Sequence, residues 1–327
     1  MNNSFGSLAL VASLGILMVT PTVPAAAATT YPDKPITLVI PFPPGGAVDT
    51  LGRLFAEKIN TQTGQSVIVE NRAGANGNIG TEAVVRAAPD GYTVLLAANG
   101  LATNPAIYPK RTFNELNDLE PVAYVGYAPL ILVVAHDAPY ADFNDLIAAA
   151  RQKPGAITFA TSGSGSAPHL ASELLRLTTG TDMLHVPYKG GAPAKLDLVT
   201  GRVSFMFLNP LEAVPQVEAG KLRALMVDST ERLSQLPQVP TAKELGYPEL
   251  EAKVWWGFAV PKGTPSDRVT ALNMLINKAL QDPDMQEKLN KMAVTIGGGS
   301  VEEFNMFFKN QVTKWADVVQ KANLGAN

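Results

Sequence analysis

Residues 36–40, Ile-Thr-Leu-Val-Ile, form a short aliphatic run that stops at Pro41, and the following stretch places Val48, Leu51, Leu54, Phe55 and Ile59 three and four positions apart. A brief apolar run followed by a 3.6-residue period predicts a buried strand feeding an amphipathic helix, which Gly64 should end. The pattern continues with a strand over 66–69, a turn-rich stretch over 70–78, a short helix over 82–87, the Asp90-Gly91 turn and a strand over 92–96. Strands and helices in alternation predict a parallel sheet covered on both faces.

The apolar run at 122–135, broken by Gly126 and Pro129, suits a chain crossing from one domain to another. A second α/β set follows: helix 142–152, strand 157–160, helix 169–177, strand 203–208, a further helix and strand 222–227. That last strand is expected to bring the chain back to the first domain, which strand 255–261 and the helices after 267 complete. Ser300 and Glu303 have the spacing of a capping box at the start of the final helix. The expected division is residues 29–126 plus 224–327 for lobe 1 and 127–223 for lobe 2. Trp255 and Trp256 must face opposite sides of their strand, so one is expected in the core while the other can line a cleft.

Two glycine-rich loops stand where a strand gives way to a helix. One is Pro41-Phe42-Pro43-Pro44-Gly45-Gly46-Ala47-Val48-Asp49, the other Thr161-Ser162-Gly163-Ser164-Gly165-Ser166-Ala167-Pro168-His169. Such a loop aims backbone N–H groups from the positive end of a helix at an anion, with no side chain in the way. Two of them at the C-terminal strand ends of two lobes would hold a carboxylate in the cleft between. The plainer alternative is a pair of ordinary strand-to-helix turns. Neither loop has the G-x-x-x-x-G-K-[ST] or G-x-G-x-x-G pattern, since Pro168 takes the third glycine position, and this excludes the familiar nucleotide sites.

Composition narrows the chemistry. The apolar stretch within residues 1–28, ending in four alanines, reads as a cleaved secretory signal although its start has no Lys or Arg, so a periplasmic protein is expected. There is no cysteine, which removes disulfides, thiolate catalysis and cysteine-bound metal. A net charge of −3 without a basic run makes nucleic acid and anionic membrane surfaces poor partners. None of the common metal-binding spacings occurs, and neither metal nor cofactor is expected. His169 follows Ser166 by three residues, but no G-x-S-x-G elbow surrounds it, so a Ser/His hydrolase is the weakest alternative and an enzyme is not expected. A first-turn residue that fixes the loop is the simpler role for His169. The same holds for Asp49, which could instead meet a ligand ammonium.

Taken in order, Pro43-Pro44-Gly45-Gly46-Ala47-Val48-Asp49, the motif at 69–80, Ala88-Pro89-Asp90-Gly91-Tyr92-Thr93, Gly163-Ser164-Gly165-Ser166 with His169, and His185-Val186-Pro187-Tyr188-Lys189-Gly190-Gly191 resemble the Bug-type periplasmic receptors of tripartite tricarboxylate transporters. Val239-Pro240-Thr241 and Glu244-Leu245-Gly246 extend the likeness over the whole chain after residue 28. The resemblance implies a two-lobed type II periplasmic-binding-protein fold of the α/β class, each lobe a mainly parallel sheet flanked by helices. It also implies a monomer that closes on a small carboxylate, a di- or tricarboxylate or an aromatic acid, and passes it to membrane permease subunits. Carried onto this sequence, the pocket comprises Pro44, Gly45, Gly46 and Asp49 from lobe 1, and Ser162, Gly163, Ser164, Gly165, Ser166, His169, Tyr188, Gly190, Gly191 and Ala192 from lobe 2, with Lys189 a possible direct cation. Asn99 and Asn104 are placed to face the cleft or a surface turn, and Phe42 and Tyr188 could bracket a ring. Asn209 stands where members of that family often carry an aspartate, a lost charge that disfavours amino acids as ligands. A sensory receptor signalling to a membrane kinase is the rival function.

Overall fold

The computed structural model describes residues 1, 31–250 and 252–321, so the expected signal lies outside the described residues apart from Met1. β1 (Ile36–Ile40) enters lobe 1, and α1 (Ala47–Thr63) packs back on it through Leu51, Phe55 and Ile59. Gly64, at φ 70°, ends α1 in the left-handed conformation that stops a helix. β2 (Val67–Asn71), α2 (Asn78–Val85), β3 (Thr93–Ala98), α3 (Gly100–Ile107), the single turn α4 (Glu115–Asp118) and β4 (Leu119–Ala128) follow.

Lobe 2 contains β5 (Ile131–Ala135), α5 (Phe143–Gln152), β6 (Thr158–Thr161), α6 (Ala167–Thr179), β7 (Leu184–Pro187), α7 (Gly191–Val199), β8 (Phe205–Leu208), α8 (Pro210–Glu218) and β9 (Leu222–Val227). The chain returns through β10 (Val254–Pro261), α9 (Ser266–Leu280), α10 (Pro283–Lys291), β11 (Thr295–Ile296) and α11 (Val301–Lys321). The capping box is present: Ser300 N–H donates to Glu303 Oε2 at 2.7 Å, and Glu303 N–H to Ser300 Oγ at 3.1 Å.

Lobe 1 is built on a six-stranded sheet of order β11-β4-β10-β3-β1-β2, and lobe 2 on a five-stranded sheet of order β7-β6-β8-β5-β9. Both sheets are mixed, which differs from the mainly parallel sheets expected. β1 lies parallel to β2 and β3, and β6 parallel to β7 and β8, whereas β10 is antiparallel to β3 and β4, and β5 to β8 and β9. The cause is the double crossing. β4 leaves lobe 1 and β10 re-enters it, so neighbours in the sheet run in opposite directions; β5 and β9 do the same in lobe 2.

The lobe boundaries also move. β4 remains in the first sheet to Ala128, and β9 pairs with β5 along its whole length, so a boundary at residue 224 would cut a strand of lobe 2. The return crossing falls after Val227. Both tryptophans are core residues. Trp255 packs edge-on against Phe307 and Phe308 of α11, Trp256 on the opposite face is equally buried, and neither lines the cleft.

Candidate ligand-binding cleft

The two glycine loops share one construction. Gly45 and Gly165 take φ of 83° and 81°, a left-handed turn that glycine adopts without strain, and each is followed by an extended N-cap residue, Gly46 or Ser166. In both, the loop glycine N–H donates to a side chain four residues on, Gly45 to Asp49 Oδ2 and Gly165 to His169 Nδ1, each at 3.0 Å. Asp49 and His169 are thereby braces behind the loops.

The braces differ in charge. Burial alone would raise the Asp49 pKa, but hydrogen bonds from Arg53, Gly45 N–H and Asn71, with the Arg53 charge, bring it below the usual carboxylate value. His169 is pushed down to about 3 by burial, then by neighbouring His185 and Arg176, and is neutral at physiological pH. Its ring stacks on His185 at 4.0 Å between centroids, and burial pushes His185 down to about 4. Nδ1 therefore remains an acceptor, leaving the ring hydrogen on Nε2, 3.8 Å from Glu173 Oε1. Ser166 Oγ donates to Gly163 O at 2.7 Å, so Ser166 and His169 serve the loop separately and form no nucleophile–base pair.

Between the lobes lies a cavity of about 110 Å³, the scale of the about 150 Å³ engineered cavity that admits benzene. The starts of five helices reach its wall: α1 at Gly46, α3 at Gly100, α6 at Ser166, α7 at Gly190 and Gly191, and α8 at Asn209. None has a side-chain cap. Two lack a capping side chain because the N-cap is glycine, Ser166 turns its hydroxyl back to Gly163, and Asn209 turns its amide to Glu212. Of the helices that begin elsewhere, α4 is capped by Asn114, α5 by Asp142, α10 by Asp282 and α11 by Ser300, while α2 after Gly77 and α9 after Pro265 have no side-chain cap. Among the described residues the lining contains no Lys, Arg or His, and its body is apolar, with Phe42, Pro44, Val48, Met206, Phe207 and Val254. Converging helix N-termini, each worth about half a positive charge, give such a cavity an affinity for anions.

The lobes touch across this cavity. Thr103 Oγ1 of α3 donates to Gly165 O at 2.8 Å, and Tyr108 hydroxyl to Ser164 O at 3.4 Å. A Cβ on Gly190 would stand 3.1 Å from Pro43 Cγ, so the loop before α7 also needs glycine for its approach to lobe 1.

Of the residues expected in the pocket, Phe42, Pro44, Gly46, Asn99, Ser162, Ser166, Gly190, Gly191, Ala192 and Asn209 reach the wall. Gly45, Asp49, Gly163, Ser164, Gly165 and His169 lie behind it as loop framework. Tyr188 is turned away, its hydroxyl donating to Asp197 at 2.7 Å, and Lys189 is exposed outside the cavity. Asn99 reaches the wall with its amide already engaged, Nδ2 donating to Lys253 O and Oδ1 accepting from Trp255 N–H. Asn104 is buried behind it, bonded to Asn76 and Asn78. Two polar residues of the wall, Asn76 and Glu212, were not expected. Asn76 belongs to a turn-rich stretch, and Glu212 follows Asn209-Pro210 as the acid of a helix first turn, a start signal that marks its place.

Residues 51–324 match the family model for the tripartite tricarboxylate transporter family receptor. The protein BugT of Bordetella pertussis is 38% identical over 315 residues, covering 95% of this chain and 97% of that one. Among solved structures, a Rhodopseudomonas palustris protein with adipate superposes with a TM-score of 0.86 at 35% identity, covering 90% of this chain and 98% of the other. MatC from Rhodopseudomonas palustris, with bound malate, gives 0.83 at 30% identity over 88% of this chain and 100% of the other. With the fold, the double crossing and the matched length in agreement, the chain belongs to the tripartite tricarboxylate transporter receptor family and is a solute-binding receptor, not an enzyme.

Proposed function

We propose that this receptor works in the periplasm, exported by the signal at residues 1–28, where it captures a small carboxylate between its lobes and delivers it to the membrane subunits of a tripartite tricarboxylate-type transporter. The observation that carries this reading is the convergence of five uncapped helix starts from both lobes on one cavity without a basic side chain. Backbone amides are then the donors for an anion, and contributions from both lobes make affinity depend on closure. The carboxylates in related structures, adipate and malate, support the ligand class.

The test is a thermal-shift screen of the purified protein against carboxylates, with Gly46→Leu as control. A Cβ on Gly46 has no heavy atom nearer than 3.9 Å, so the fold accepts the side chain while the cavity is filled by it. A carboxylate that raises Tm for the wild type should leave Gly46→Leu unshifted, because only a ligand bound to the native state adds stability by mass action. An equal shift in both proteins would place the ligand elsewhere and overturn the reading.

A further inference from the structure

The face of β10 turned away from the cleft borders a second cavity. In the pairing of β10 with β4, Trp255 stands opposite Tyr127, and alternation along the chain puts Lys253 and Trp255 on the face opposite Val254, which lines the cleft. α11 packs on that face through Phe304, Phe307 and Phe308, which meet Trp255, and Phe304 and Phe307 also meet Tyr124. One turn beyond Phe307 the apolar stripe of the helix is broken by Gln311, and a cavity of about 410 Å³ lies between α11 and the sheet. Pockets for small molecules run from about 300 to 1,000 Å³.

Its wall is aromatic, with Tyr124 and Tyr127 from β4, Trp255 from β10, and Phe307 and Trp315 from α11. The polar groups around it are mostly donors. Gln311 Oε1 accepts from Trp315 Nε1 at 3.0 Å, which fixes the amide and leaves Nε2 as the remaining end. Lys314 Nζ lies 5.3 Å from the centre of the Trp315 ring, and Lys253 Nζ 4.5 Å from that of Tyr127. The Trp255 indole N–H is buried without an acceptor, which a buried tryptophan usually finds. Burial, then the neighbouring Tyr127, pushes the Tyr124 phenol above its ordinary pKa, so the hydroxyl keeps its proton. Among the described residues no Asp or Glu lines this cavity.

Ring faces edged by ammonium and amide donors, with no acid beside them, match a flat body that carries a negative charge. A cationic ligand would meet two lysines, and an aliphatic acid would give the rings no π face to pack on. We propose that this cavity is a second binding site, separate from the cleft, that takes an aromatic carboxylate. The Lys314 ammonium and the Gln311 amide are the donors to its carboxylate, and the aromatic wall holds its ring.

Calorimetric titration of the Gly46→Leu protein with benzoate reads this site alone, because the leucine fills the cleft. Benzoate should still bind, at least about threefold more tightly than cyclohexanecarboxylate, which has the charge without the π face. Adding Gln311→Glu keeps the acceptor for Trp315 but replaces the amide donor with negative charge, and should weaken benzoate at least about tenfold. Benzoate that fails to bind Gly46→Leu, binds no better than cyclohexanecarboxylate, or is indifferent to Gln311→Glu overturns the proposal. Wild-type crystals soaked with 4-iodobenzoate give an answer even if the variants are unstable. Iodine located between α11 and β10 supports the site, and its absence there overturns it while leaving the cleft reading untouched.

Discussion

The loop before α1 and the loop before α6 have the same backbone and different chemistry behind it. Each is a left-handed glycine, an extended residue and a helix, with the glycine N–H tied to a side chain in the first turn. In lobe 1 that side chain is a charged carboxylate shared with a half-exposed arginine; in lobe 2 it is a neutral imidazole under a second imidazole. An anion cradle thus depends on fixing the glycine amide, and any acceptor will serve if it keeps its protonation state.

The difference should separate the loops most clearly in acid. A histidine whose pKa is lower in the folded protein than in the unfolded chain holds fewer protons when folded, so its contribution is full above about pH 6.5 and is lost as pH falls toward about 3 for His169 and about 4 for His185. Each histidine should then cost up to about 1.4 kcal/mol per pH unit through that window. The Asp49 brace, also depressed, is lost only as pH falls below its ordinary value of 3.8. Urea unfolding at successive pH values should show lobe 2 weakening first, and stability that is flat between pH 6.5 and 4.5 would contradict this account of the braces.

Substitution should rank the braces in the same order. His169→Ala removes a buried ring and leaves the Gly165 N–H unpaired, for about 2–4 kcal/mol. Asp49→Ala should cost about 1–2 kcal/mol, because Arg53 is half exposed and solvent screens that pair. Equal losses in chemical denaturation would mean that the exposure of Arg53 does not weaken the Asp49 brace. The smallest effect is expected between the lobes. Thr103→Val deletes the bond to Gly165 O, which should cost the closed form about 0.5–1.5 kcal/mol and weaken ligand binding up to about tenfold in titration.

Much of this arrangement was legible in the chain. The strand–loop–helix units announce themselves through a change of period, and Gly64, Asp142 and Ser300 mark helix ends by local chemistry alone. α3 was not legible. Leu101, Ala102, Thr103, Asn104 and Ile107 are all buried, so no polar face exists to reveal a period, and Gly100 and Pro105 suggest a loop. β7 failed for the opposite reason: it is a four-residue edge strand with no residue fully buried. In the cleft, glycine spacing located both loops but could not separate wall from framework, since whether Gly45 or Gly46 faces the cavity depends on backbone angles. Glu212 was not legible as a wall residue, because an acid in a helix first turn reads in sequence only as a helix start signal.

The absence of a basic side chain from the cavity wall bears on how cargo is let go. A lysine or arginine would travel with one lobe and keep its hold on an anion after the lobes part. On the binding mode proposed above, the grip would be a sum of peptide dipoles mounted on two lobes, and it would fade steeply once the helix ends withdraw from each other. On that proposed mode, separation of the lobes would itself be the release step, needing no proton, no competing ion and no chemical change in the receptor.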